Sequence, residues 1–279
     1  MMAEGGLRML KLICSDVDGT LVPDGGHDLN PEYFDQIRRL KDTGILFAAV
    51  SGRSYSSLEK LFAPVLDDIL FICDNGARTI YRGKLLDCYT IRRELAFKII
   101  REIEALPGCT TYVSGLNCGY VYKDAEELYR WLTEGYQLEI EKLDRMPEDL
   151  PEKEGILGVE LYHPTAAEEI AGQGLYQKWY GHKELQVVCS GKQWVNFSPI
   201  NADKGIAVSE FQNQHGILPS ETMAFGDNMN DAGMLLRAEY SYAIGNAREE
   251  IQKLCRFHAD TNLNDGVLQV LRTVQSAAL

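Results

Sequence analysis

The chain has no pair of cysteines at the two-residue spacing of a metal knuckle or a redox motif. Its seven cysteines, an odd number, are scattered. Cys14, Cys73 and Cys189 lie inside apolar runs, where reduced, buried thiols are expected, so a disulfide framework is excluded. The five histidines (His27, His163, His182, His215 and His258) are equally dispersed, which leaves a zinc site little to build on. Positive charge is also short: 28 Lys and Arg face 41 Asp and Glu, for a net charge of −13. Such a surface attracts neither nucleic acid nor an anionic membrane, although a locally positive pocket can still take a small anion. No run approaches the ~20 apolar residues of a membrane span. Residues 1–6 lack the basic start of a secretory signal, so a cytoplasmic protein is expected. Internal repeats and low-complexity tracts are missing too, and nothing predicts an obligate protein partner.

What is present is the material for one large domain or two ordinary ones: 279 residues, 45% hydrophobic and 25% charged. Short apolar runs alternate with amphipathic stretches over the first eighty residues. Residues 31–43 carry apolar side chains at Tyr33, Phe34, Ile37 and Leu40, a helical spacing with Asn30 as N-cap and Gly44 after the end. Strands are expected at 10–14, 45–50 and 69–73, and a further helix at 54–62. That rhythm predicts an α/β fold with a doubly wound parallel sheet, which binds ligands at the carboxyl ends of its strands. From residue 82 to 190 the pattern shifts. Helices are expected at 94–106, 125–134 and 165–180, with strands at 110–114, 119–122, 137–142, 156–162 and 185–189. This predicts a separate α+β domain with an antiparallel sheet, inserted into a discontinuous core of residues 1–81 and 191–279. Two adjacent crossings between the domains suit a hinged lid.

Four polar signals lie at the ends of apolar runs. Asp16-Val17-Asp18-Gly19-Thr20 follows the first. Its two carboxylates are two residues apart and point to one side of an extended chain. Gly19 allows a tight turn, and the Thr20 hydroxyl can bond the loop. One carboxylate can attack while the other handles a proton, with a divalent cation screening their repulsion. As an isolated feature this is equally an acidic turn. Ser51-Gly52-Arg53 closes the run 45–50, Lys204 opens an apolar helical stretch, and Gly226-Asp227-Asn228-Met229-Asn230-Asp231 follows Met223-Ala224-Phe225.

In this order the four segments resemble the four motifs of the haloacid dehalogenase superfamily of phosphohydrolases. The Cof-type sugar-phosphatase branch, with a large cap between the second and third motifs, is the best match. The resemblance spans about residues 10–270. It implies a Mg²⁺-dependent phosphatase acting on a small phosphorylated metabolite of the sugar-phosphate kind through a covalent aspartyl-phosphate. It implies Asp16 as nucleophile and Asp18 as general acid/base. Lys204 would offset developing charge, and Ser51, Gly52 and Asn230 would contact the phosphoryl oxygens. The metal would be held by Asp16, Asp227 and the Asp18 carbonyl, with Thr20 and Asp231 behind them. Asn75, in a loop after another strand, is a substrate-contact candidate, although Asn-Gly is foremost a turn signal. Arg53 is left between a substrate contact and a cap on the sheet edge. In the inserted domain Tyr112, Asn117, Tyr120, Tyr122, Glu160 and Trp194 offer polar and aromatic groups for a sugar. Three alternatives remain: a phosphomutase or phosphotransferase with the same nucleophile, a phospho-aspartate signalling domain, and a cap adapted into a binding module with residual catalysis. The second has no use for an insertion of about a hundred residues.

Overall fold

The computed structural model describes residues 10–172, 174–190 and 192–276. Residues 7–9 ahead of the first strand, residue 173 in the expected helix 165–180 and residue 191 at the expected domain boundary lie outside that range. The chain divides into two compact units, with crossings at Cys88/Tyr89 and Asn201/Ala202. Both crossings fall later than the sequence boundaries 81/82 and 190/191, and strand pairing gives the reason below.

In chain order the first unit begins with β1 (Leu12–Ser15), α1 (Glu32–Asp42), β2 (Leu46–Val50), α2 (Tyr55–Leu61), β3 (Ile69–Cys73), β4 (Arg78–Tyr81) and β5 (Lys84–Cys88). The second unit contributes α3 (Arg93–Glu104), β6 (Thr110–Gly115), β7 (Gly119–Tyr122), α4 (Glu126–Arg130), β8 (Ile140–Leu143), β9 (Ile156–Tyr162), α5 (Ala167–Gly172), α6 (Leu175–Trp179), β10 (Leu185–Ser190) and β11 (Trp194–Pro199). The chain then returns to the first unit through α7 (Lys204–His215), β12 (Thr222–Gly226), α8 (Ala232–Leu235), β13 (Tyr240–Ala243), α9 (Glu249–Leu254), β14 (Phe257–His258) and α10 (Gly266–Ser276).

The first unit is a doubly wound eight-stranded sheet in the order β14-β13-β12-β1-β2-β3-β4-β5. The six strands from β14 to β3 are parallel, while β4 and β5 run antiparallel at one edge. The parallel core is the one expected; the antiparallel edge adds to it and moves the first boundary, because β5 pairs with β4. Strand periodicity sorts side chains between two faces. Ile13, Phe47, Phe71 and Phe225 pack with Ile37 and Leu40 of α1, Leu58 of α2 and Leu268 and Leu271 of α10. Leu12, Cys14, Ala48, Leu70 and Ala224 pack with Val208 and Phe211 of α7, Leu235 of α8 and Ile251 of α9. At α1 the Asn30 side chain accepts the Glu32 N–H at 3.0 Å, and Gly44 follows the helix at φ +82°.

The second unit has a six-stranded sheet in the order β10-β11-β9-β6-β7-β8. Its pairs are antiparallel apart from β7 with β8, which is parallel and departs from the antiparallel expectation. Ala96, Ile99, Ile100 and Ile103 of α3, with Ala171 and Trp179 of α5 and α6, cover Val113, Val159, Leu161, Val195 and Phe197. Residues 194–199, expected to resume the first unit, pair instead with β9 and β10, so the second crossing falls at 201/202. The single helix expected at 165–180 is two, in a stretch holding the poor helix formers Gly172 and Gly174.

Candidate active site

Strand order brings three of the four motifs to adjacent carboxyl ends. β1 lies between β12 and β2, with Ser15 opposite Phe225 on one side and Ala49 on the other. Asp16 therefore emerges beside Gly226 and Val50, and Asp227 and Ser51 emerge beside it. The Asp16 N–H still donates to the Phe225 carbonyl at 3.0 Å, so its backbone is part of the ladder.

Lys204 joins this edge as the first residue of α7. The preceding Asp203 caps the helix, accepting the Gly205 and Ile206 N–H groups at 2.8 and 2.9 Å. The Lys204 side chain is 1% exposed. Its Nζ donates to Asp16 Oδ1 at 2.6 Å and to Asp231 Oδ1 at 2.7 Å. Burial opposes the lysine's charge, but Asp16 and Asp231 outweigh it and hold its pKa above the ordinary value. Asp231 is fully buried and turns its other oxygen to the Asp227 and Asn228 N–H groups, both at 3.0 Å. It orients Lys204 and pins the loop that carries Asp227.

Asp16 is 4% exposed. Burial, then Asp231 and Asp227, push its carboxyl well above the usual range against the pull of Lys204. Asp227 is raised mainly by burial, although the Thr20 hydroxyl bonds its Oδ1 at 2.8 Å and favours the charged form. One oxygen from each of Asp16, Asp227 and Asp231 lies within 4.8 Å of the others. Asp231 is already bonded by Lys204 and two backbone amides, so Asp16 and Asp227 are the carboxylates available to a cation. Their all-oxygen chemistry suits a hard divalent ion. The cradle is also shaped for it. Gly19 sits at φ +80°, and a Cβ there would lie 2.5 Å from Asp227 Oδ2.

Asp18 is placed differently. Its carboxylate is gripped by Arg53, with Nε at 2.8 Å and Nη2 at 2.6 Å, and also accepts the Gly25 N–H at 3.0 Å. Arg53 Nη2 also donates to the Gly26 carbonyl at 2.6 Å. Arg53, which the sequence left unassigned, thus links the second motif to the first. The Ser51 side chain is buried and accepts the Arg53 N–H at 3.1 Å, while its carbonyl accepts from Asn75. Asn75 holds a left-handed backbone at φ 54°, stands against Gly52 and accepts a hydrogen bond from Asn230 Nδ2 at 3.0 Å. Asn230 and Asn75 therefore join the loops after β12 and β3.

The candidates of the second unit are engaged within it. Asn117 and Tyr120 both donate to the buried Glu154, and Tyr122 donates to Glu104 and the Met146 carbonyl. Trp194 packs against Trp131, Tyr162 and Tyr112. Glu160 lies in register between Tyr112 and Asn196 on the neighbouring strands.

Sequence reasoning missed Asn246, whose Nδ2 donates to the Gly19 carbonyl at 2.7 Å. A Gly-Asn pair after an apolar strand was the available signal, but its partner two hundred residues earlier was not visible.

The chain matches the haloacid dehalogenase-like hydrolase family over residues 13–271. It is 26% identical over 270 residues to the 5-amino-6-(5-phospho-D-ribitylamino)uracil phosphatase YbjI of Escherichia coli, covering 95% of this chain and 96% of that one. It is 27% identical to phosphatase YwpJ of Bacillus subtilis, covering 94% and 99%. A solved structure from Eubacterium rectale superposes with a TM-score of 0.89 at 31% identity, covering 95% of this chain and 99% of that one. Among the described residues no helix is long and apolar enough to cross a membrane.

Proposed function

Because the chain belongs to the haloacid dehalogenase-like hydrolase family and is a phosphoric monoester hydrolase, we propose that it hydrolyses a small phosphorylated metabolite through a phosphorylated Asp16, with Mg²⁺ bound. The observation that carries this reading is the buried Lys204 shared between Asp16 and Asp231, beside Asp227 at the next strand end.

Asp16 attacks phosphorus, forming the carboxylate O–P bond as the bond to the ester oxygen breaks. Lys204, already bonded to Asp16, stays charged and offsets the negative charge gathering there. Asp18 gives a proton to the departing oxygen and then takes one from the water that attacks the acyl phosphate, which returns Asp16 and releases inorganic phosphate. Arg53 fixes the orientation of the Asp18 carboxylate through its two-pronged bond. Ser51, Gly52, Asn75 and Asn230 border the same edge and are assigned to the phosphoryl oxygens. Mg²⁺, held by Asp16, Asp227 and the Asp18 carbonyl, would neutralise the phosphoryl group. Thr20 fixes Asp227 for that task.

We assign the second unit, as a cap, to substrate selection and the chain to the cytoplasm. The substrate class is a sugar or sugar-alcohol phosphate, in line with the ribityl phosphate in the name of the Escherichia coli relative.

A screen of phosphate release over phosphorylated sugars, sugar alcohols, nucleotides and cofactor precursors tests this reading. Asp16→Asn is expected to lose at least about 10³-fold in turnover, and wild-type rates in that variant would refute the mechanism. Mass analysis of the product from a hexose phosphate separates hydrolysis from isomerisation.

A further inference from the structure

The Asp16–Val22 turn is tied down from outside the four motifs. The Asn246 side chain bridges two backbone groups: its Nδ2 donates to the Gly19 carbonyl at 2.7 Å, and its Oδ1 accepts the Asn262 N–H at 3.0 Å. With its oxygen taken by a backbone donor, the amide can present only N–H to Gly19. Asn262 adds a second tie, donating from Nδ2 to the Val22 carbonyl at 3.2 Å, and Val22 itself accepts the Gly19 N–H at 2.8 Å.

The strand end that carries Asn246 also holds the other acidic loop. The Ile244 N–H donates to the Gly226 carbonyl at 3.2 Å and the Arg248 N–H to the Asp227 carbonyl at 3.0 Å. Residues 244–248 are therefore bonded to the loop of Asp16 and to the loop of Asp227 at once. The two loops meet across Gly19, where a Cβ would stand 2.5 Å from Asp227 Oδ2, and through the Thr20–Asp227 hydrogen bond.

We infer that Asn246 is a positioning residue for the divalent cation: by fixing the Gly19 peptide against the Asp227 loop, it sets the spacing of the two carboxylates that would hold the ion. This rests on the metal-dependent reading proposed above. Asn246 makes no bond to either carboxylate, so its effect is carried entirely by the backbone it holds.

The test is isothermal titration of the full chain with Mg²⁺, on protein shown to be folded by circular dichroism. Asn246→Ala removes both bonds. Asn246→Asp keeps the acceptor for Asn262 but sets a carboxylate oxygen against the Gly19 carbonyl. Asn262→Ala removes the tie to Val22 and the bond that its Oδ1 accepts from the Leu263 N–H, but keeps the backbone N–H given to Asn246. Both Asn246 variants are expected to bind Mg²⁺ roughly 10- to 100-fold more weakly, and Asn262→Ala less than either. Turnover of Asn246→Ala should recover toward wild type as Mg²⁺ is raised to saturation, which a general loss of folding would not permit. Wild-type Mg²⁺ affinity in both Asn246 variants overturns the inference and leaves the proposed reaction standing. A wild-type chain that binds no Mg²⁺ overturns the metal reading and this inference with it.

Discussion

The two units bury polar groups for opposite ends. In the first, Asp16, Lys204 and Asp231 are 4, 1 and 0% exposed and are drawn from motifs 188 and 27 residues apart. Their bonds join separate strand ends, and two of them belong to groups with displaced pKa values. In the second, Glu154 is equally buried but collects donors from one short neighbourhood: the Asn117 N–H and Nδ2 at 3.0 Å and the Tyr120 hydroxyl at 2.7 Å. That network closes a turn. Burial alone therefore does not distinguish the two clusters; like-charge crowding at a sheet's carboxyl edge does.

The contrast is sharpest at Lys204. Lys204→Met removes the only side-chain cation bonded, among the described residues, to Asp16 and Asp231. It is expected to lower turnover about 10²- to 10³-fold and to cost about 3–5 kcal/mol of stability through the uncompensated carboxylates. Phosphate release and urea unfolding measure the two effects, and intact turnover would place the lysine among merely structural groups. Gly19→Ala comes next. Its methyl would enter the cradle beside Asp227 at a backbone conformation that costs about 1–3 kcal/mol to hold. Turnover should fall by one to two orders of magnitude, the strain being relieved by moving Asp227. In the second unit Glu154→Gln should reverse the pattern, costing about 1–3 kcal/mol while leaving turnover at saturating substrate unchanged. A large kinetic loss there would erase the distinction between the units.

The smallest effect is a pH dependence. Asp16 and Asp227 have folded pKa values above their unfolded ones, burial being the main cause. Their contribution to the stability of the metal-free chain is thus fully present below the ordinary aspartate range. It is lost as pH rises through the raised values. A cation that binds the ionised pair offsets this loss, so the gain in melting temperature on adding Mg²⁺ should be small near pH 5 and grow by a few degrees toward pH 8. A Mg²⁺ effect that is flat over that range would remove the carboxylates from the binding step.

The alternation of β1, α1, β2, α2 and β3 was legible because each strand is an almost wholly buried run and α1 keeps a clean helical spacing with a glycine stop. The β4–β5 hairpin was not. Lys84, Leu85 and Leu86 are exposed, so no run announces β5. The one signal was the two-residue Arg82-Gly83 turn, in which both residues have positive φ. β11 was misplaced because its alternating pattern fits either sheet and only pairing with β9 decides. At the site, the residue types of the four motifs were readable in order, and the structure brings Asp16, Lys204, Asp227 and Asp231 together. The grip of Arg53 on Asp18 and the tie from Asn246 to Gly19 were invisible, since each joins a side chain to a loop whose spatial neighbours follow only from strand order.

The central position of β1 has a consequence for biosynthesis. One of its neighbours, β2, is translated soon after it, but the other, β12, pairs Thr222 with Leu12 and leaves the ribosome only after the whole second unit. Until then Asp16 lacks its lysine and the strand has an open flank of unpaired amides. A chain stalled or truncated before residue 231 should be inert and prone to adhere to other nascent strands, so the proposed hydrolysis needs synthesis to have passed the whole second unit.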